Sequence, residues 1–273
     1  MVVQEQDGIE YALQEPFDFS LLNKFGRVFR VFDKQDSGCI CFGVQRGNTR
    51  RFVKFAGAKP MAFRGECKDA VLQLKYAASV YETLRHEHLV DFLHGEDVGQ
   101  GYCAVFNWTD AECMGKQYQS RDKFFELPID KRLGLFEDIL AFHEHVAALG
   151  YVAIDFYDGS IMYDFRTGKT TICDIDFYAK MPYINNMGRM WGSARFMSPE
   201  EFTKGAQIDQ VSNVYLMGAT AFALLGDPYD RVFSTWTASD AQYHVAKKAV
   251  NEDRNERYQS IEEFWASWSA VGT

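Results

Sequence analysis

Residues 211–225 constrain the fold more than any other segment, because they are apolar almost all round when drawn as a helix. A helix on the surface of a domain keeps a polar face, so a helix without one must be enclosed by other elements. The chain has 273 residues, 47% hydrophobic and 15% aromatic, which supplies enough apolar side chain for such a core. We therefore expect a compact globular protein built around this helix.

The first hundred residues read mostly as strands with one helix. Short apolar runs bounded by turn residues predict strands at 27–32, 39–44, 51–55, 89–93 and 102–108. Apolar residues at helical spacing predict helices over 70–84, from 133 to a stop near Gly150, and over 261–268. This order predicts an α+β chain in which a small sheet-rich part precedes a larger helical part.

The charge balance and the cysteines argue against several classes of protein. Lys and Arg total 29 against 38 Asp and Glu, and a net charge of −9 gives no pull towards nucleic acid or an anionic membrane. No run approaches the roughly 18 apolar residues of a membrane helix. Residues 1–7 are acidic and lack a signal-peptide core, so we expect a cytoplasmic protein. The six cysteines form no C-x-x-C pair, which favours reduced thiols over a zinc site or disulfides.

Asp155 and Asp174 flank a sequence typical of a β-hairpin. An apolar run follows Asp155, Gly168 marks a turn, and a half-buried run leads to Asp174. Two carboxylates that flank one hairpin can point into a single site. One can orient an attacking hydroxyl while the other holds a metal on polyphosphate, which is the division of labour in phosphoryl transfer.

Eight motifs stand in the order found in protein kinases. The short ones are Phe52-Val53-Lys54, which resembles the third-strand lysine motif, and Cys173-Asp174-Ile175-Asp176, at the place of D-F-G. Residues 84–90 resemble the passage after the αC helix, 104–108 the hinge strand, and 149–155 the catalytic loop. Residues 192–200 resemble the A-P-E segment, 211–218 the start of the αF helix, and 257–264 a motif of bacterial serine/threonine kinases. The chain thus resembles the protein kinase-like superfamily over about residues 25–270.

This resemblance implies a bilobal protein kinase-like fold. Residues 1–24 would be an N-terminal extension, and 25–107 a small N-lobe with an antiparallel sheet and one main helix. Residues 108–273 would be a larger, mainly helical C-lobe. The implied activity is ATP- and Mg²⁺-dependent transfer of the γ-phosphate to a hydroxyl, with protein Ser or Thr as the favoured acceptor. Neither nucleic acid nor a membrane is an expected partner.

The resemblance also assigns roles to individual residues. Asp155 would be the catalytic residue that orients the acceptor hydroxyl and takes its proton. Asp174 would bind Mg²⁺, with Asp176 or Ser160 as auxiliary ligand and Asp158 as another candidate. The implied nucleotide-binding residues are Lys54, Ser37, Gly38, Phe106, Asn107, Trp108, Thr109 and Ser160.

Several positions depart from the family pattern. The turn at 33–38 has one glycine and two acidic residues, Ala77 stands where a glutamate would pair with Lys54, and Ser160 replaces a metal-binding asparagine. Two alternatives therefore stay open: a pseudokinase that binds nucleotide or a partner without turnover, and a small-molecule kinase. Residues 177–191 contain no Ser or Thr, so we predict an activity independent of Ser/Thr phosphorylation there.

Two further expectations concern structural side chains. Glu200 and Arg257 match a buried ion pair of the family. The pairs His86/His88 and His143/His145 are interpreted as core or surface residues. Positions two apart on a helix diverge by about 200°, so His143 and His145 cannot readily share one metal ion.

Overall fold

The computed structural model describes residues 1–116 and 118–272, and it divides into two compact units. The first comprises residues 1–85 and 90–110, and the second comprises 86–89 and the chain from 111 onward. Among the described residues the secondary structure is α+β, as predicted, with six α-helices and a five-stranded antiparallel sheet. Within these residues no helix combines the length and the hydropathy needed to cross a membrane.

The first unit contains a separate N-terminal hairpin and the five-stranded sheet. The hairpin pairs β1 (Val2–Gln6) with β2 (Ile9–Leu13). The sheet has the order β3-β4-β5-β7-β6. Its strands are β3 (Arg27–Phe32), β4 (Cys39–Arg46), β5 (Thr49–Ala56), β6 (Phe92–Val98) and β7 (Gly101–Asn107). Helix α1 (Cys67–Thr83) completes the unit, close to the predicted bounds.

Side chains between residues 9 and 22 of the N-terminal segment belong to the core of this unit. Tyr11, Leu13, Phe19 and Leu22 are buried and pack in one cluster with the inward-facing residues of the sheet. The alternation in β2 produces this contact, because its buried side chains face the sheet. The segment expected as an extension therefore contributes to the stability of the first unit.

The predicted strand at 89–93 is wrong at its start. Strand β6 begins at Phe92, whereas Leu89 forms an isolated bridge with Ile172 and belongs to the second unit. An apolar run has the same pattern whether it forms a strand of the sheet or a bridge to another segment. Spacing alone therefore could not show which of the two Leu89 would form.

The second unit is built around α4 (Gln210–Leu225), whose residues from Val211 to Leu225 are all buried, as predicted. Helices α3 (Ile129–Ala148), α5 (Asp240–Ala249) and α6 (Ile261–Ala270) pack against it. The short α2 (Ser120–Phe125) precedes α3.

Short strands shape the loops of the second unit. Strand β10 (Ile161–Asp164) pairs with β11 (Lys169–Ile172) in the predicted hairpin, and β8 (Glu112–Cys113) adds a third strand. Two further antiparallel pairs are β9 (Tyr151–Val152) with β12 (Ala179–Lys180), and β13 (Tyr183–Ile184) with β14 (Gln207–Ile208).

Candidate active site

Asp155 and Asp174 lie on the two chain segments that lead into and out of the open end of the β10–β11 hairpin. Ile161 pairs with Ile172 there, so the chain before β10 and the chain after β11 leave the hairpin side by side. Both aspartates adopt the left-handed backbone conformation, with φ of 62° and 58°. This conformation costs an L-residue about 1–2 kcal/mol and is uncommon outside turns. Asp7 also has positive φ but sits in the turn between β1 and β2, whereas neither site aspartate occupies a hairpin turn.

The loop before β10 alternates along its length. Residues 154–160 are in turn buried and half-buried, with Asp155, Tyr157 and Gly159 on the half-buried side. Ile154, Phe156, Asp158 and Ser160 are all buried. Residues 158–160 form a 3₁₀ turn, and Asp155 has positive φ, so this alternation does not reflect an extended chain. Because the buried residues Asp158 and Ser160 are polar, the pattern could not be predicted from the sequence.

Gly192 approaches the carboxylate of Asp155. Its φ is 128°, a conformation that favours glycine, and a Cβ built there would lie 3.5 Å from Asp155 Oδ1. The glycine at the start of the 192–200 motif therefore lets the backbone pass close to the candidate catalytic residue.

Asp158, which the sequence offered as an auxiliary metal ligand, lies in an ion-pair cluster instead. Arg195 donates to it through Nη1 and Nη2, each at 3.0 Å, and Arg121 Nη1 donates to the same carboxylate. Asp158 is 2% exposed, so its charge is buried and compensated by two guanidinium groups. Its role is to connect the loop before β10 to α2 and to the 192–200 segment.

Ser160 joins the two loops of the site. Its carbonyl oxygen accepts a hydrogen bond from Cys173 N at 2.8 Å, one residue before Asp174, and its own N–H donates to Tyr157 O. Its side chain is fully buried, and Oγ has no hydrogen-bond partner among the described residues. A buried hydroxyl without a partner is costly, so Ser160 Oγ is a position where a ligand or ion would gain binding energy.

The oxygen atoms available here fit Mg²⁺ in part. Asp174 is exposed and Asp176 is 5% exposed, two residues further along. Across the described part of the chain, no group of three or more His, Cys, Asp or Glu is arranged to hold a metal ion. Mg²⁺ commonly binds one or two carboxylates together with phosphate oxygens and water, so this donor set suits a metal carried by a nucleotide.

Tyr157 was not among the expected site residues. Its ring lies over Gly159, because a Cβ on that glycine would come within 2.4–2.7 Å of Cε2, Cζ and the hydroxyl oxygen. Burial raises the pKa of the Tyr157 phenol, and the charges of Asp174 and Asp155 raise it further. The phenol therefore stays protonated near neutral pH.

In the first unit, Lys54 lies in the middle of β5, between Cys41 of β4 and Ala104 of β7. The residue is 8% exposed, so its aliphatic chain is enclosed by the unit. A buried ammonium group needs anionic or polar neighbours, which is the setting expected for a phosphate-binding lysine.

The expected adenine-binding strand has partners of its own. Phe106 is buried, and its ring packs edge-on against Tyr81, with centroids 4.9 Å apart. Asn107 N donates to Asp91 O at 2.9 Å, and Trp108 N donates to Arg50 O at 3.3 Å. These two N–H groups are therefore engaged by the first unit itself. Thr109, which follows, is half-buried.

The turn at 33–38 is held from two sides. Asp33 Oδ2 accepts a hydrogen bond from Ala12 N of β2 at 2.9 Å, which directs one of the two acidic side chains towards the N-terminal hairpin. Gly38 has φ of 83°, and a Cβ there would lie 2.7 Å from Ala70 Cβ and 2.8 Å from the Phe63 ring. Gly38 is therefore required for close packing, while Ser37 is exposed.

The predicted ion pair between Glu200 and Arg257 is confirmed. Arg257 donates from Nη1 to Oε1 at 2.8 Å and from Nη2 to Oε2 at 3.2 Å, and Ser212 Oγ donates to Oε1 at 2.8 Å. Although burial raises the pKa of Glu200, the hydrogen bonds from Arg257 hold it below its ordinary value. Next to it, burial raises the pKa of Glu201 to about 7.

His145 of α3 lies beside His86, which also contacts His88, in the second unit. The ring of His86 lies 5.3 Å from that of His88 and 5.2 Å from that of His145, centroid to centroid. His88 Nε2 lies 3.4 Å from Asp138 Oδ1 on α3. Burial lowers the pKa of His86, and His145 and His88 lower it further. The grouping depends on how residues 86–88 pack on α3, which no spacing rule predicts.

No protein-family model matches this chain, and no curated protein matches its sequence. Function is therefore inferred from the chemistry of these residues and from the order of the motifs.

Proposed function

We propose that this protein is an ATP- and Mg²⁺-dependent phosphotransferase with a bilobal protein kinase-like fold. The observation that carries the proposal is the pair of left-handed aspartates, Asp155 and Asp174, on the two chain segments that flank one hairpin. Backbone strain of this kind concentrates at functional sites, where the surrounding structure holds it in place. The buried Ser160 hydroxyl on the same loop supports the proposal.

Asp155 acts as the base in this proposal. It accepts the proton of the acceptor hydroxyl while the acceptor oxygen forms a bond to the γ-phosphorus and the bond to ADP breaks. Asp174 binds the metal, with Asp176 and Ser160 as auxiliary oxygen ligands. Mg²⁺, when bound, neutralises charge on the β- and γ-phosphate oxygens.

The first unit supplies the nucleotide contacts in the proposal. Lys54 carries the charge that steadies the α- and β-phosphates, and Ser37 and Gly38 cover them. The adenine would lie against Phe106 and the backbone from Asn107 to Thr109. Since the N–H groups of Asn107 and Trp108 already have partners within the first unit, the adenine would have to contact other backbone groups of this strand.

Protein Ser or Thr is the favoured acceptor, because the segments at 192–200 and 257–264 resemble protein kinases. A small-molecule hydroxyl is the alternative acceptor. A pseudokinase is the second candidate function, and the packing of Gly38 on Phe63 and Ala70 favours it. A turn fixed in this way gives little freedom to close over phosphate.

The decisive experiment is a thermal-shift titration with ATP, with and without Mg²⁺. A ligand that binds only the folded protein adds about 2.7 kcal/mol at about 100 times its dissociation constant. The wild type is compared with Asp174→Asn, since Asn tolerates the left-handed conformation and removes only the charge. Glu144→Gln removes an exposed carboxylate from α3 and is the matched control.

A Mg²⁺-dependent shift that Asp174→Asn loses and Glu144→Gln keeps is the expected result. An ATP-induced thermal shift that is the same with and without Mg²⁺ would favour the pseudokinase. The absence of any shift in the wild type would refute nucleotide binding.

A further inference from the structure

The segment from Gly192 to Arg195, called segment 192–195 below, lies beside the candidate base. A Cβ built on Gly192 would lie 3.5 Å from Asp155 Oδ1. At the other end of the segment, Arg195 donates to the buried carboxylate of Asp158 from Nη1 and Nη2, each at 3.0 Å. Both ends of the segment therefore lie against the loop before β10, and an acceptor whose hydroxyl reaches Asp155 comes close to Gly192.

Two arginines from outside the segment donate hydrogen bonds to its backbone. Arg189 Nη2 donates to Gly192 O at 3.1 Å. Arg231 Nη2 donates to Arg195 O at 2.7 Å, and its Nη1 donates to the hydroxyl of Tyr215 at 2.8 Å. These acceptor oxygens are all neutral, so the hydrogen bonds position the two guanidinium groups without compensating their charge.

Guanidinium groups outnumber carboxylates along this segment. The single carboxylate of Asp158 accepts hydrogen bonds from both Arg195 and Arg121. Within the described ranges 1–116 and 118–272, neither Arg189 nor Arg231 forms an ion pair with a carboxylate. Apart from the candidate base, four arginines thus stand against one buried carboxylate, in a protein whose net charge is −9.

The acidic residues nearby in the sequence do not supply the missing partners. Glu200 is bound by Arg257, and Glu201 is buried and hydrogen-bonded within its own turn. Asp227 accepts hydrogen bonds from two backbone N–H groups of the following turn, and Asp230 is exposed. The charges of Arg189 and Arg231 are therefore available to an anionic ligand.

Exposed aromatic side chains lie beside these arginines. The guanidinium carbon of Arg189 is 5.9 Å from the ring centroid of Phe202, which is 43% exposed. The guanidinium carbon of Arg195 is 5.8 Å from the ring centroid of Tyr229, which is 70% exposed. Arginine and aromatic side chains are the residues enriched at protein interfaces. A surface that offers apolar contact together with positive charge fits a peptide better than a small anion.

We propose that the acceptor is a peptide segment in which acidic residues flank the hydroxyl-bearing residue, and that Arg189 and Arg231 bind its carboxylates. The inference rests on the proposed phosphotransferase function and names the class of its acceptor. Hydrogen bonds between arginine and carboxylate are among the stronger ones, because both groups are charged. Since the protein as a whole is negative, an acidic peptide is repelled by most of its surface, which favours binding at this segment.

The test measures the binding of two fluorescently labelled peptides by anisotropy, without nucleotide, so that binding does not depend on transfer. One peptide carries a serine flanked by glutamates, and the other carries glutamines at the same places. Arg189→Met and Arg231→Met remove the proposed contacts, and Arg189→Lys restores a charge. Arg166→Met is the matched control, because it removes an arginine that is 84% exposed on the β10–β11 hairpin of the same unit.

Wild type should bind the glutamate peptide more tightly than the glutamine peptide. Arg189→Met and Arg231→Met should each weaken binding of the glutamate peptide about 3- to 10-fold and leave binding of the glutamine peptide unchanged. Arg189→Lys should fall between Arg189→Met and wild type, and Arg166→Met should bind like wild type. The preference should shrink as the ionic strength rises from about 0.01 M to about 0.15 M, because the Debye length falls from about 30 Å to about 8 Å.

The melting temperature of each variant reports on the fold. If Arg231→Met melts below wild type, the comparison of Arg189→Met with Arg189→Lys decides, since Arg189 is exposed and contacts only backbone oxygens and the Phe202 ring.

Equal affinity of wild type for the two peptides, or an unchanged preference in Arg189→Met, would overturn the inference. A single-stranded oligonucleotide that displaces the glutamate peptide at lower concentration would also overturn it and assign the surface to nucleic acid. These outcomes leave the Mg²⁺-dependent ATP shift untouched, so the failure of this inference is distinguishable from the failure of the proposed function. A wild type that binds the glutamate peptide but shows no ATP shift would overturn the acceptor role of the peptide.

Discussion

Glu201 is predicted to make the protein less stable as the pH rises towards neutrality. The carboxyl group is 6% exposed, and Oε2 accepts hydrogen bonds from Ser198 N at 2.6 Å and Ser198 Oγ at 2.8 Å. Burial, with the nearby charges of Glu200 and Asp155, raises its pKa from 4.5 to about 7. The folded state therefore keeps a proton that the unfolded state loses above pH 4.5. Stability from this group is complete below pH 4.5, falls as the pH rises, and is lost above about 7.

The magnitude follows from the shift. Each pKa unit corresponds to about 1.4 kcal/mol, so a rise from 4.5 to about 7 costs about 3 kcal/mol at pH 8. Glutamine keeps the shape and an acceptor oxygen for Ser198 but cannot ionise. Glu201→Gln should therefore be more stable than wild type by about 2–3 kcal/mol at pH 8, and the gain should vanish near pH 4.5.

Urea unfolding of wild type and Glu201→Gln between pH 4.5 and 8 measures this difference in the free energy of unfolding. Because the other titrating groups are the same in both proteins, their contributions cancel in the difference. Glu144→Gln, which changes an exposed carboxylate, is the control and should follow wild type across the range. A Glu201→Gln difference that does not depend on pH, or that grows towards acid, would refute the reasoning.

Two other perturbations test the packing of the second unit. Arg257→Met should cost about 3–5 kcal/mol in urea unfolding, because it leaves the carboxylate of Glu200 buried without its partner. Arg166→Met changes a side chain that is 84% exposed and should stay within about 0.5 kcal/mol of wild type; equal effects would contradict the first prediction. At acid pH, the lowered pKa of His86 means that the unfolded state binds the proton first. Stability is thus complete above pH 6.5 and falls below it. The melting temperature of His86→Asn should fall less than that of wild type as the pH is lowered below 6.5. An equal fall in both proteins would contradict a role of His86 in the acid sensitivity of the fold.

Sequence alone predicted the elements whose pattern is long and local. The apolar run at 211–225, the helix that became α1 and the hairpin between Asp155 and Asp174 depend on periodicity within one segment, and each is confirmed. The ion pair of Glu200 with Arg257 was predicted through motif order, because its partners lie far apart along the chain. Elements that depend on pairing with a distant segment were less accessible. Leu89 bridges to Ile172 instead of extending β6, and side chains between residues 9 and 22 join the core of the first unit.

In the candidate site, too, contacts that depend on distant segments were not predicted from the sequence. The burial of Asp158 and Ser160 could not be predicted from periodicity, because both residues are polar and lie in a 3₁₀ turn. The ion pairs of Asp158 could not be predicted either, because they depend on the positions of Arg195 and of Arg121 on α2.

The pairing of Asp158 matters for the chemistry of the whole loop. Four acidic residues lie within or just after the hairpin flanks, at 155, 158, 174 and 176. If all four were unpaired, their mutual repulsion would oppose an approaching polyphosphate. Two arginines, Arg121 and Arg195, compensate the buried carboxylate of Asp158. The two arginines thus lower the net negative charge of this loop. A sequence count of carboxylates overstates the repulsion because it omits this pairing.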